Sequence, residues 1–204
     1  FNRTAWADWR TAIFARYSKP IPRLTGLPDV GATDENTFSL EKVLALRPDL
    51  LILPDWSFAV LGEQVKQLDA LGIPVLVTDY NAQVPERHMA STLAIGMATG
   101  NEARGQELAA LYAGKVADIR RRIAGEASKP KVYLELGQGG AGVVGNSYGT
   151  GMWGRILDLV GAANIAAPFI PGAYAPINPE AVLAANPDAI FIAGSSWANR
   201  PNAV

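Results

Sequence analysis

The sequence predicts an α/β protein built as two Rossmann-like lobes joined by a single long α-helix, with both lobes reading as incomplete. Three features predict it: a repeated helix-turn-strand unit, strand–helix–strand alternation around each copy, and one helical stripe too long for a simple crossover.

The repeat comes first. Residues 39–53 (SLEKVLALRPDLLIL) and 178–192 (NPEAVLAANPDAIFI) align without gaps at an offset of 139, with 6 of 15 positions identical. The identities are Glu41/Glu180, Val43/Val182, Leu44/Leu183, Ala45/Ala184, Pro48/Pro187 and Asp49/Asp188. Each copy reads as a short helix opened by an N-cap residue, Ser39 or Asn178, with an acid in the first turn where the helix dipole favours it. The proline is expected to stop the helix, and the apolar runs 50–53 and 189–192 follow as buried strands.

Around the first copy, Val65, Leu68 and Leu71 recur at helical spacing over 63–71, Gly72 supplies a C-cap, and 73–78 resumes a strand. Around the second, 131–136 reads as a strand and 152–160 as a helix closed by Gly161, leaving two convincing strands in the second lobe. Between them Leu108, Leu111, Tyr112, Val116, Ile119 and Ile123 form an apolar stripe on a helix over 102–124. At 1.5 Å per residue that helix is roughly 30 to 35 Å long, enough to span two lobes. The expected organisation is an N-terminal lobe over 1–100, a bridging helix over 101–125 and a truncated C-terminal lobe over 126–204. The chain is therefore expected to be a piece of a longer protein.

Composition narrows the function classes. With 49% apolar and 18% charged residues in 204, the chain reads as a packed globule. Its 18 basic and 19 acidic residues give no broad positive field for nucleic acid. No apolar run reaches the roughly 18 residues of a membrane span. Without cysteine there are no disulfides or thiolate sites, and a single histidine, His88, argues against a site for bare zinc or manganese. His88 itself reads as a surface or hinge residue near the start of a helix.

The stretches FSLEKVLALRPDLLIL, QLDALGIPVLVTDY, MWGRILDLVGAANIA and INPEAVLAANPDAIFI, with the long helix between them, resemble the cobalamin, haem and ferric-siderophore binding proteins of ABC importers. The resemblance covers most of 29–194. It implies a non-enzymatic periplasmic receptor, monomeric, with no cofactor of its own. It also implies a ligand held between the lobes against loops at the carboxyl ends of the strands, in keeping with the general rule for open α/β sheets. In this chain those loops are 1–17, 55–58, 79–83, 137–150, 169–175 and 195–200. The implied partners are a small iron chelate, a ferric siderophore first, and an ABC permease dimer in the inner membrane. A Gram-positive host would instead make the receptor a cell-surface lipoprotein.

Candidate ligand residues follow from the loops. Trp56 and Trp197 sit after the two repeat strands at equivalent positions; the plain alternative is that each packs over a strand end. Segment 1–17 gathers Trp6, Trp9, Tyr17, Arg3, Arg10 and Arg16, and from it Trp6, Arg10 and Tyr17 are the candidates. Arginine offers fixed donors to ligand oxygens while tryptophan covers apolar surface. The alternative is an amphipathic helix with its arginines in water. Tyr80, Tyr148 and Tyr174 fall in loops where a phenol could meet iron or a ligand oxygen, and tyrosine in a loop is as often packing. Asn146, Ser147 and Tyr148 lie in a glycine-broken loop over 143–151.

Gly137, Gly139 and Gly142 spell GxGxxG after a strand, yet the third glycine opens no helix and no acid ends a second strand about twenty residues later. A cofactor site is not expected there. Haem, cobalamin or an oxyanion such as molybdate remain alternatives within the class. A Rossmann-like enzyme acting on a nucleotide or sugar is the rival outside it, disfavoured by the lack of a nucleophile–base pair. A surface-tethered lipoprotein scaffold is a third reading.

The resemblance also implies that Glu41 and Glu180, one per lobe, pair with arginines on the two permease subunits. The local alternative is a first-turn acid that stabilises its own helix by roughly 0.3 to 1 kcal/mol.

Overall fold

A computed structural model describes residues 3, 6, 7, 11–137 and 144–193. The two repeat copies have the same build. In the first, the Ser39 hydroxyl accepts from the Lys42 amide at 3.2 Å and opens helix α2, Leu40–Leu46; in the second, the Asn178 carboxamide accepts from the Glu180 amide at 2.9 Å and opens α8, Pro179–Ala185. Both helices end not at the proline but one residue earlier, on a left-handed residue with φ of 47°, Arg47 or Asn186. The amides of these residues return to Leu44 and Leu183 at 3.0 and 3.1 Å. That reversal satisfies a terminal carbonyl, and the following proline only forbids continuation.

The chain divides into two units, Phe1–Thr78 and Asp79–Val204. The first contains α1 (Thr11–Ser18), a 3-10 turn (Pro22–Gly26), α2, β1 (Leu51–Pro54), α3 (Asp55–Leu61), α4 (Glu63–Ala70) and β2 (Val75–Thr78). Strands β1 and β2 pair in parallel, Leu51 opposite Val75 through Pro54 opposite Thr78. Val30, Val43, Leu68 and Ile73 are buried together beside them, with Leu68 fully enclosed.

The second unit contains α5 (Pro85–Ala98), α6 (Glu102–Ile123), β3 (Lys131–Leu136), β4 (Asn146–Tyr148), α7 (Trp153–Leu159), β5 (Ala163–Asn164), β6 (Tyr174–Pro176), α8 and β7 (Ala189–Ala193). Its sheet has five strands among the described residues, three more than the sequence suggested. The extra strands β4, β5 and β6 are two or three residues long and read NSY, AN and YAP, so they carry no apolar run to reveal them. Strand β3 takes β7 in parallel along one edge and shares the other between β5, parallel, and β4, antiparallel; β6 then pairs antiparallel with β4. The two repeat strands therefore lie in different sheets, β1 in one and β7 in the other.

Side chains alternate across β3 as the pleat requires. Val132, Leu134 and Leu136 meet Leu157 and Ala162 on one face, and Tyr133 meets Ile165, Ala166, Ile170 and Ile177 on the other. The long helix α6 has the expected extent, with Glu102 in its first turn and Arg120, Arg121 and Arg122 in its last, matching its dipole. Asp118 pairs with both Arg121 and Arg122. Its buried positions, however, are Gly105 and Ala109, while Leu108, Leu111 and Ile119 of the expected stripe are exposed. The cause is α5: a Cβ on Gly105 would lie 3.2 Å from the Gly96 Cα, so the two helices meet backbone to backbone and the small residues fill the contact. No helix of the described residues is long and apolar enough to cross a membrane.

Candidate functional site

In the first unit, the carboxyl ends of β1 and β2 carry a buried polar group of side chains. Thr33 and Ser57 share a hydrogen bond of 2.8 Å, and the Thr78 hydroxyl donates to the Leu53 carbonyl at 3.4 Å. Asp55 holds a buried Oδ1 with no hydrogen-bond partner. Residues 55–58, expected as a loop, are the start of α3: β1 runs directly into the helix, with extended Pro54 at the N-cap and Asp55 in the first turn. Proline fixes the entry angle and the acid suits the helix N-terminus, which removes the need for a linker. Trp56 consequently sits on a helix, 39% exposed.

Tyr17 lies on α1 and is 54% exposed. Trp6 is half-buried and engaged with neighbours, and the Arg3 guanidinium donates to the Leu27 carbonyl at 3.2 Å. Arg10 and Trp197, like Trp9, lie outside the described residues. So do Gly139 and Gly142; among the described residues that follow, 144–148 run as coil and then strand β4.

In the second unit, Asp79 organises the turn that follows β2. Its amide donates to the Ser91 hydroxyl, and its carboxylate accepts from the Ala82 amide at 2.9 Å and from Arg87 at 3.1 Å. Tyr80 is held in this turn by a 3.1 Å hydrogen bond between its hydroxyl and that of Thr92. The Tyr80 ring meets His88 edge-on at 4.6 Å, and His88 stacks on Tyr112 at 4.0 Å and 5°. His88 is thus wedged between two aromatic rings rather than lying free on the surface. Burial lowers its pKa below 6.5, and its Nδ1 is buried without a partner. These rings line a groove of 520 Å³ along α5 and α6, bordered by Ile95, Leu108 and Leu111. Sequence reasoning picked Tyr80 but not His88 or Tyr112 as its neighbours. His88 and Thr92, at i and i+4 on α5, were the available signal.

Tyr148 and Tyr174, expected in loops, face each other across paired strands β4 and β6, rings 6.3 Å apart and 70° inclined. Their exposures differ sharply. Tyr148 is 6% exposed and packs in the core with Leu134, Leu136 and Leu157, whereas Tyr174 on the edge strand is 58% exposed. Burial first, and Tyr174 second, raise the Tyr148 pKa, so its phenol stays protonated. The exposed partner of the pair is Tyr174.

Asn146 begins β4 with its Oδ1 buried and unpartnered. Beneath it lies Glu135 on β3, 7% exposed, which sequence reasoning did not single out. The Glu135 carboxylate accepts from the Tyr133 hydroxyl at 2.5 Å, from the Gly145 amide at 3.1 Å and from the Asn146 amide at 3.3 Å. Burial, then the hydrogen bond and the charge of Glu135, raise the Tyr133 pKa and keep its hydroxyl a donor. The side chains of Glu41 and Glu180 are exposed in the first turns of α2 and α8.

Among the described residues no group of three or more His, Asp or Glu side chains could hold a metal ion. Residues 13–203 match a family model described as periplasmic binding protein. No curated protein sequence matches the chain. Among solved structures, the chain is similar to the TroA-like periplasmic binding protein FepB from Veillonella parvula, with 35% identity and a TM-score of 0.82 over 98% of this chain and 58% of that one. It is also similar to the periplasmic heme binding protein HutB of Vibrio cholerae, with 26% identity and a TM-score of 0.67 over 88% of this chain and 66% of that one. The periplasmic vitamin B12 binding protein BtuF of Vibrio cholerae, at 23% identity and a TM-score of 0.67 over 90% of this chain and 68% of that one, shares the fold. The chain thus spans 58% of the length of FepB and about two thirds of the other two.

Proposed function

From the premise that the chain belongs to the periplasmic binding protein family, we propose that the whole protein is the substrate-binding component of an ABC importer. It captures an iron chelate of the ferric-siderophore kind outside the cytoplasm and delivers it to a membrane permease, without breaking a bond. The likeness to FepB along nearly the whole chain carries this reading. The side chains support a chelate over a bare ion: the chain has one histidine and no cysteine, and exposed Trp56, Tyr17 and Tyr174 offer aromatic surface for an apolar ligand body. Trp6, Arg10, Tyr80, Asn146 and Trp197 complete the proposed ligand set, and Tyr148 serves it from below by packing. Glu41 and Glu180 are the proposed contacts to the permease, and the receptor acts as a monomer.

Haem is the second reading, favoured by the heme-binding relative HutB and by an exposed phenol at Tyr174. The test is tryptophan fluorescence of the full-length protein titrated with a ferric tris-catecholate, a ferric hydroxamate, hemin and cobalamin. Saturable quenching by a ferric chelate, reduced in Trp56→Phe, supports the proposal. Quenching by hemin alone supports the second reading, and quenching by none of the four refutes both.

A further inference from the structure

Glu135 stands out as the buried acid of the second sheet. A carboxylate taken out of water costs stability unless its lone pairs are filled, and a neutral side chain of similar size would avoid that cost. Among the described residues no cation neutralises it. Three neutral donors do the work instead, and two of them, the Gly145 and Asn146 amides, are consecutive on the chain where it re-enters the sheet as β4. A carboxylate has two oxygens and room for about four donors, so it can hold both amides and the Tyr133 hydroxyl together, which a hydroxyl or a carboxamide cannot. The same corner is tied from the other side. The Ile177 amide donates to the Gly145 carbonyl at 2.7 Å, and Gly145 has a φ of 92° with no space for a Cβ, which would lie 2.8 Å from the Ile177 carbonyl oxygen. One register step further, the fully buried Ser147 hydroxyl donates to the Leu134 carbonyl at 2.8 Å.

We infer that Glu135 is a positioning residue: by clamping the Gly145 and Asn146 amides it fixes the start of β4 and so sets the Asn146 carboxamide for ligand contact. This rests on the reading above that Asn146 belongs to the ligand site. Tyr133 then plays a separate part. Its hydroxyl fills a remaining lone pair of the acid but holds no part of the 145–146 backbone, so its removal should leave the clamp in place.

The test uses the full-length protein with three readouts: amide hydrogen exchange at residues 145 and 146, affinity for a ferric tris-catecholate and a ferric hydroxamate, and exchange at β3 and β7 amides as the measure of the fold. Glu135→Gln is expected to speed exchange at 145 and 146 about tenfold and weaken chelate affinity about tenfold, the effect of turning charge-assisted hydrogen bonds into neutral ones. Exchange in β3 and β7 is expected to hold. Tyr133→Phe is expected to change neither the clamp nor the affinity. If Glu135→Gln does not fold, Glu135→Asp withdraws the oxygens while keeping the charge and is expected to loosen the same two amides. Unchanged exchange at 145 and 146 overturns the clamp. Loosened amides with unchanged affinity overturn the positioning role, and equal damage from Tyr133→Phe reduces Glu135 to a core residue. A wild-type protein that binds neither chelate removes the functional reading, and with it the positioning role, while exchange at 145 and 146 still decides the clamp.

Discussion

Two glycines on the long helix α6 should respond to the same substitution with opposite sign. Replacing a mid-helix glycine by alanine is worth about 1 kcal/mol through backbone entropy alone, wherever the new methyl has room. At Gly114 a Cβ meets nothing within 4 Å, so Gly114→Ala should gain about that amount. At Gly105 a Cβ would lie 3.2 Å from the Gly96 Cα and 3.3 Å from the Thr92 carbonyl oxygen. Both neighbours are backbone of α5, which no rotamer change can move aside. Overpacking of this kind costs roughly 1 to 3 kcal/mol, so after the helix gain Gly105→Ala should lose about 1 kcal/mol. The two variants should therefore separate by about 2 kcal/mol in urea unfolding with unchanged slope. Gly96→Ala, whose Cβ would lie 3.1 Å from the Gly105 Cα, should behave like Gly105→Ala. A Gly105→Ala protein as stable as Gly114→Ala would mean that α5 and α6 do not meet at these glycines, and the account of why the apolar stripe of α6 stays exposed would go with it.

The two N-caps should be interchangeable in cost: Ser39→Ala and Asn178→Ala are each expected to lose about 1 kcal/mol by chemical denaturation, and a loss at only one would break the equivalence of the repeats. The pKa of His88 is lowered in the folded state, so the folded protein takes up its proton less readily than the unfolded chain. Its stabilising share is full above pH 6.5 and is lost as pH falls through the folded value. Unfolding midpoints measured from pH 7.5 down to 5 should fall less steeply in His88→Phe than in the wild type, and parallel curves would remove the role assigned to its burial. Glu41→Ala combined with Glu180→Ala is expected to leave ligand affinity and thermal stability near wild type while uptake in cells falls sharply; full uptake would end the docking assignment.

Much of the fold is legible because it is written in local chemistry. The caps at Ser39 and Asn178, the glycines at 72 and 161 with positive φ, and the extent of α6 all follow from residues within a few positions of each other. What escaped was decided at long range. Strands β4 and β5 exist because β3 offers them an edge, and β6 because β4 does, while nothing in Asn146–Tyr148 or Tyr174–Pro176 has the period of a strand. The glycine-rich run raised the opposite expectation, since Gly145 and Gly149 look like loop punctuation. In the fold they mark close approaches, where a Cβ would meet the carbonyl oxygens of Ile177 and Ile170. Tyr148 and Tyr174 show the same limit within the site. They are register partners on one face of the sheet, and only their distance from its edge makes one a core residue and the other a surface phenol.

The repeat explains why the two proposed functions of the chain differ in legibility. Each copy sets its glutamate by a closed local grammar: a side-chain cap, an acid in the first turn, and a left-handed exit three residues after the shared leucine, Leu44 or Leu183. Any sheet that accepts such a unit presents the carboxylate at an exposed helix start, and here two different sheets do so. The connections that follow the strands are under no such constraint. After β1 the chain enters α3 at once, whereas the end of β3 leads to a connection whose return is gripped by a buried acid. The proposed permease contact thus rests on two copies of one motif. A ligand contact depends instead on the connection that each strand releases, and no local motif dictates that connection.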